Sequence, residues 1–349
     1  MTLMRKPGEL PPRRVVNRDF SAHGLPKGDR NPMNVIAHVH TYPPTHNNGA
    51  NHTLHQLLLK GRAFREWRVQ VFTDHLPARN DSFESIPVRR ERDTRLLSMD
   101  YQRAEVCITH LNMTRKAIEL SQRRSCATVH LIHNPDQIGH YRIKGNESAL
   151  MIFNSDWLAE AVPWEGRKLV MHPLVEVDRY KVDETGDAVT LVNLSANKGA
   201  RLFYQLAEQF PDTRFLGVQG GYGDVVEAPA ISNLEIVPNT ADIREVMRQT
   251  RLLLMPSQKE SWGRTAIEAA CSGIPSVCST TSGPLEAGVA AGYIEPDDFE
   301  NWCHAVDMLT TDETLWAEEG QRAYERAREL NVQALRETVA AVEAIEALR

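Results

Sequence analysis

The sequence predicts an α/β protein with two doubly wound parallel sheets, and three observations carry that prediction. Short apolar runs alternate with helical patterns, the alternation runs through the chain twice, and the polar stretch KVDETGD at 181–187 separates the two rounds. A length of 349 residues exceeds one ordinary domain and suits two.

The elements follow in order. Residues 1–33 hold seven Lys/Arg against three Asp/Glu and many Pro and Gly, the composition of a flexible basic arm. VIAHVH (35–40) reads as the first strand, TYPPTHNNGA as its loop and NHTLHQLLLKGRAF as a helix. RVQVFTD (68–74), AEVCIT (104–109), CATVHLI (126–132) and ALMIF (149–153) continue the first round, with LNMTRKAIELSQR as a helix. The second round opens with AVTLVNL (188–194) and a helix from Gly199 to Phe210, then TRFLGV (213–218) and NLEIV (233–237). A helix near 241–249, RLLLM (251–255), another helix, PSVCS (275–279) and a helical C-terminus complete it. The expected division is therefore an arm over 1–33, an acceptor-side domain over 34–180 and a ligand-binding domain over 188–330. A C-terminal helix over 331–349 has the option of returning to the first domain. In such folds the ligand belongs beyond the carboxyl ends of the strands.

Composition narrows the function. A hydrophobic share of 42% with 25% charged residues is that of a globular chain. No apolar run is long enough to span a bilayer, and no apolar signal core opens the chain, so a cytoplasmic location is expected. Five scattered cysteines without a CxxC pair suit a reducing compartment. A net charge of −6 argues against nucleic-acid binding by the whole surface.

The most informative stretch is KESWGRTAIEAACSGIPSV (259–277). Pro256 and Ser257 end the preceding strand. Ile267, Ala270 and Cys271 share one helical face, and Gly273 with Pro275 stops the helix, which therefore begins near Gly263. Free amides at such a start suit a phosphate. Glu260 precedes the helix and Glu268 lies one to two turns into it. Carboxylates accept hydrogen bonds and one can take both hydroxyls of a vicinal diol. Phosphates flanked by two diols describe a nucleotide sugar. A lone Glu-x7-Glu would ordinarily be two solvated glutamates on an amphipathic helix. Here the strand, the Pro-Ser, the aromatic-Gly and the Gly-x-Pro stand in register around it.

The pattern PSxxExWGxxxIEAxxxGIPSV resembles the donor-site signature of retaining GT-B glycosyltransferases, the family-4-like or group 1 glycosyltransferases. That resemblance implies a GT-B fold, two Rossmann-like domains facing each other across a cleft. It also implies that Glu260 contacts the donor sugar and Glu268 the ribose, with Ser261, Trp262, Gly263, Arg264 and Thr265 at the donor. LVNLSANKGARLF (191–203) resembles the family's Gly-Arg-Leu-x3-Lys-Gly, placing Asn193, Ser195 and Lys198 at the diphosphate. Asn193 stands where the family has arginine, and Arg264 is a candidate to replace that cation. LGVQGGYG (216–223) resembles the family's glycine-rich turn, bringing in Gly220, and backbone around Val237 to Asn239 is expected at the base. In the first domain, Gly49 and Ala50 would allow close approach of donor and acceptor. His110, at the end of VCITH, is the expected active-site histidine, with His133 of HLIHNP as its competitor.

The resemblance implies transfer of a sugar from a nucleoside diphosphate donor, UDP-sugars favoured, to an acceptor hydroxyl with retention and without a metal. Lys198 would neutralise the leaving phosphate. No Asp-x-Asp occurs, and His38/His40 and His52/His55 lack carboxylates or cysteines at ligand spacing, so no metal and no cofactor beyond the donor is expected. A nucleotide-sugar 2-epimerase of the same fold and a non-catalytic nucleotide-sugar binding module are the alternatives. The acceptor stays open among glycan, lipid, protein and modified nucleic acid. Nucleic acid would engage the basic arm and Arg89, Arg90, Arg92 and Arg95. Peripheral membrane contact would need a basic apolar helix, and IPVRRERDTRLL (86–97) is basic but too charged and too short to be one.

Overall fold

The computed structural model describes residues 31–44, 48–74, 81–90, 94–124, 126–137, 149–221 and 224–349. The basic arm, but for its last three residues, lies outside them, as do Arg92 and two residues of the glycine-rich turn. Contacts divide the described residues into two units: those up to Leu174 together with Gln333–Arg349, and Val175–Val332.

The first unit is built on an eight-stranded sheet. Its strands are β1 (Asn34–Val39), β2 (Arg68–Thr73), β3 (Asp81–Phe83), β4 (Ile86–Arg90), β5 (Val106–His110), β6 (Ala127–Ile132), β7 (Leu150–Phe153) and β8 (Lys168–Val170). Their order is β3-β4-β2-β1-β5-β6-β7-β8, and only the β3–β4 hairpin is antiparallel. β5 is buried at every position and β1 at all but its first, as expected of strands covered on both faces. The helix Gly49–Arg65 packs Leu54, Leu57 and Leu58 against β1 and β2, and Asn48 caps it by accepting from the Asn51 amide at 2.9 Å. The end of the long helix Glu313–Glu346 completes this core. Ala341, Val342 and Ile345 lie in it, and Trp67 Nε1 donates to Glu346 Oε1 at 2.5 Å.

The second unit holds a six-stranded, wholly parallel sheet: β9 (Ala188–Val192), β10 (Phe215–Val218), β11 (Leu234–Val237), β12 (Thr250–Met255), β13 (Ser276–Ser279) and β14 (Gly292–Ile294). The order β11-β10-β9-β12-β13-β14 is the doubly wound one, with its reversal between β9 and β12. Helices Ala200–Gln209 and Phe299–Thr311 supply Phe203, Leu206, Trp302 and Val306 to the core on one face. Helix Arg264–Ala270 and the first part of Glu313–Glu346 supply Ile267, Ala323 and Ala327 to the other.

Several elements depart from the sequence expectations. IPVRR is strand β4 rather than the start of a basic helix, because Ile86 and Val88 alternate inward with period two; the helix begins only at Thr94. β3, β8 and β14 are three residues each, too short for periodicity to register. The helix near 241–249 shrinks to Arg244–Met247. The unit boundary falls after Leu174, not after residue 180, since Val177, Tyr180 and Val182 pack with Trp262 and Ile267.

Candidate functional site

Two loops leave the carboxyl ends of β9 and β12, the neighbouring strands where the second sheet reverses its order. After β9 the chain turns sharply at Asn193, which takes a left-handed φ of 75°. Its Oδ1 accepts from the Ser195 amide at 3.2 Å, while its Nδ2 is buried with no protein partner. Gly220 makes room for this side chain, since a Cβ there would stand 2.3 Å from Asn193 Oδ1. A 3-10 turn, Ala196–Lys198, leads to Gly199, whose φ is 84°. A Cβ at Gly199 would meet Pro256 Cγ at 2.5 Å and the Pro256 carbonyl oxygen at 2.6 Å, so glycine is what lets the two loops touch. The Gln258 amide donates to the Asn197 carbonyl at 2.9 Å and ties them together.

That contact brings Lys198 and Glu260, 62 residues apart, to 2.5 Å between Nζ and Oε2. Their side chains are only 14% and 16% exposed. Glu260 also bears on Cys278 at the end of β13. Burial pushes that thiol up to about 12, with the glutamate charge adding to the rise.

Beyond Glu260 the chain enters the helix. Trp262 is 3% exposed and belongs to the core cluster that holds Tyr180, Ile267 and Tyr293. Gly263 caps the helix in the left-handed region at φ 85°, with no side-chain cap bond, and the helix begins at Arg264 as expected. Arg264, the candidate to replace the arginine absent at 193, already has partners within this unit. Its Nε donates to Glu268 Oε1 at 2.7 Å and its Nη2 to the Tyr180 hydroxyl at 2.7 Å. Burial holds the Glu268 carboxyl above the usual carboxylate range, with the Arg264 guanidinium offsetting only part of the rise. Thr265 is half-buried on the first turn. Val237 ends β11 with its carbonyl accepting from the Gln219 amide at 2.9 Å, and exposed Asn239 donates to the Gln219 carbonyl at 3.2 Å.

The sequence reading missed Tyr180, Ser257 and Gly283. Ser257, wholly buried, has an Oγ without a partner. A Cβ on Gly283 would meet the Ser261 carbonyl carbon at 2.4 Å, so the backbone of TTSGP (280–284) lies directly against the 261–262 peptide. The glycine following β13 was the available signal.

In the first unit the sheet reverses between β1 and β5, and the expected residues stand there too. Gly49 and Ala50 open the helix after β1. His110 ends β5 and is 2% exposed, and its ring lies 5.2 Å from that of His133, edge to face. Both nitrogens of His110, Nε2 of His133 and Oδ1 of Asn134 are buried without protein partners. Burial pushes His110 well below the ordinary histidine range, with His133 adding to the shift, and burial alone takes His133 down to about 4. Both rings are thus neutral hydrogen-bonding groups at neutral pH. Three other described histidines have partners of their own. His38 Nδ1 lies 2.8 Å from the Tyr101 hydroxyl, His40 Nδ1 2.6 Å from Asp74, and His55 lies between the Tyr42 hydroxyl and Glu84. The last two carboxylates are neighbours that sequence spacing did not reveal. No helix among the described residues is long and apolar enough to cross a membrane.

Comparison with known proteins bears on this arrangement. Residues 188–312 match the family model of group 1 glycosyl transferases. The D-inositol 3-phosphate glycosyltransferase of Mycobacterium sp. strain KMS is 25% identical over 171 aligned residues, 40% of this chain and 38% of that protein. The match thus spans well under half of that relative's length. Among solved structures, Anabaena HepE in complex with UDP and glucose superposes with a TM-score of 0.69 at 18% identity, over 88% of this chain and 100% of that one. Sucrose-phosphate synthase from Thermosynechococcus elongatus gives 0.70 at 16% identity, over 90% and 100%. Residues 188–312 are thus similar to the group 1 glycosyl transferase domain, in a chain that has the GT-B fold.

Proposed function

We propose that the protein transfers a sugar from a nucleoside diphosphate donor, most simply a UDP-sugar, to an acceptor hydroxyl with retention of configuration and without a metal ion. The observation that carries this reading is the meeting of Lys198 and Glu260 at the strand-order reversal of the group 1 domain. Such a reversal is where doubly wound sheets hold nucleotides. HepE, solved with UDP and glucose, supports a UDP-sugar as the donor class.

In this reading the diphosphate lies over the start of helix Arg264–Ala270 and against Lys198, with Asn193 Nδ2 and Ser257 Oγ as neutral donors to its oxygens. Glu260 takes hydroxyls of the sugar, and Glu268 takes the ribose through the oxygen that Arg264 leaves it. The glycosidic C–O bond to phosphate breaks as the acceptor oxygen bonds to the same face of the anomeric carbon. The acceptor proton passes to the departing phosphate oxygen, whose charge Lys198 stabilises. His110 supplies a neutral imidazole for a sugar hydroxyl, a role the family resemblance implies.

A thermal-shift screen of nucleotide sugars tests the donor, because a ligand that binds the folded state alone raises the melting temperature. UDP-glucose or another UDP-hexose should do so, and labelled sugar should pass to an acceptor hydroxyl with wild-type protein but not with Glu260→Gln. Absence of any shift across the panel refutes the proposal. Conversion of the donor to its C2 epimer without acceptor would instead identify an epimerase.

A further inference from the structure

The Lys198–Glu260 ion pair joins two residues that the proposed function assigns to different parts of one donor, the lysine to phosphate and the glutamate to sugar. The two side chains are largely withdrawn from water, and the Gln258–Asn197 backbone bond already fixes the loops that carry them. The tied loops and the low exposure both favour the pair over one between freely moving surface side chains. Asn193 carries a neutral amide, and Arg264 is held by Glu268 and the Tyr180 hydroxyl. Lys198 is the cation that the proposed function assigns to the diphosphate.

The geometry points to a partner exchange in which the Lys198–Glu260 pair is a latch that the donor opens. The inference rests on the nucleotide-sugar reading above. The diphosphate takes the ammonium of Lys198 and the released Glu260 carboxylate accepts from hydroxyls of the sugar. A complete donor replaces both halves of the broken pair. A nucleoside diphosphate without its sugar replaces one half and leaves the Glu260 carboxylate partly desolvated and unmatched. The latch thus weakens binding of the spent nucleotide relative to the intact donor and favours its release.

Calorimetric titration with UDP and with UDP-glucose tests this on wild type, Glu260→Gln, Lys198→Met and the double variant, each checked by its thermal melt. Glu260→Gln should bind UDP about 3- to 10-fold more tightly than wild type, the range expected when a partly buried pair no longer competes. UDP-glucose should gain less, because the amide replaces a carboxylate that served the sugar. In the Lys198→Met background the same substitution should change UDP affinity by less than about twofold, since there is no ammonium left to release. An unchanged or weakened UDP affinity in Glu260→Gln overturns the latch and leaves the donor assignment standing. So does a gain that persists without Lys198, which would be repulsion between Glu260 and the phosphates. Wild-type protein that binds neither ligand overturns the latch and the donor reading together.

Discussion

The paired histidines at the ends of β5 and β6 make stability of the first unit depend on pH in a calculable way. His133 has its pKa lowered by burial from 6.5 to about 4 in the folded protein, whereas the unfolded chain keeps the ordinary value. The folded state therefore binds fewer protons between these limits. The stabilisation is fully present above the unfolded pKa, is lost as pH falls, and is gone below the folded one. Two and a half pKa units correspond to about 3 kcal/mol in total, of which about 2 kcal/mol is lost between pH 8 and pH 5. Carboxylates elsewhere titrate in the same range, so the clean measurement is a difference. Urea unfolding followed by tryptophan fluorescence at pH 8, 7, 6 and 5 should be run on wild type and on His133→Gln, whose amide never charges. The variant should be the less stable protein at pH 8 and should recover by about 2 kcal/mol relative to wild type at pH 5. A stability difference that stays flat across that span would refute the claim that His133 is held neutral by its surroundings.

Three further outcomes follow from the second unit and the terminal helix. Gly199→Ala forces a left-handed φ on an L residue and drives a Cβ to 2.5 Å from Pro256, so stability should fall by about 2 kcal/mol or more, with loss of nucleotide binding, read by thermal melt and UDP titration. Arg264→Leu strands the buried Glu268 carboxylate and should cost about 3–5 kcal/mol, much of it recovered in Arg264→Leu/Glu268→Gln. Removing residues 333–349 strips Ala341, Val342 and Ile345 from the first core together with the Trp67–Glu346 bond, and should lower that unit's unfolding free energy, read by urea titration, by several kcal/mol, about 1.5–3 for Val342 and for Ile345.

The second unit was legible because its strands other than the edge strand β11 are largely buried and its stop signals are chemical. Pro256, Gly263, Gly273 and Pro275 fell where the structure turns, since each marks a backbone requirement rather than a packing preference. Strands of three residues left no periodicity to read. The roles of Arg264 and Trp262 were not legible. The partner that holds Arg264, Tyr180, lies 84 residues away, and the depth of Trp262 depends on how Tyr180 and Tyr293 pack around it. The left-handed turn at Asn193 was likewise hidden, as its sequence signal is an asparagine in an ordinary strand ending. Residue type told what could bind a phosphate; only the fold told that Lys198 and Arg264 each already face a carboxylate.

The helix Glu313–Glu346 supplies Ala323, Ala327 and Leu330 to one hydrophobic interior and Ala341, Val342 and Ile345 to the other. During synthesis the first-made sheet lacks these last three residues of its interior until the second sheet has been translated, so a nascent chain arrested earlier should present chaperones with a less completely covered surface.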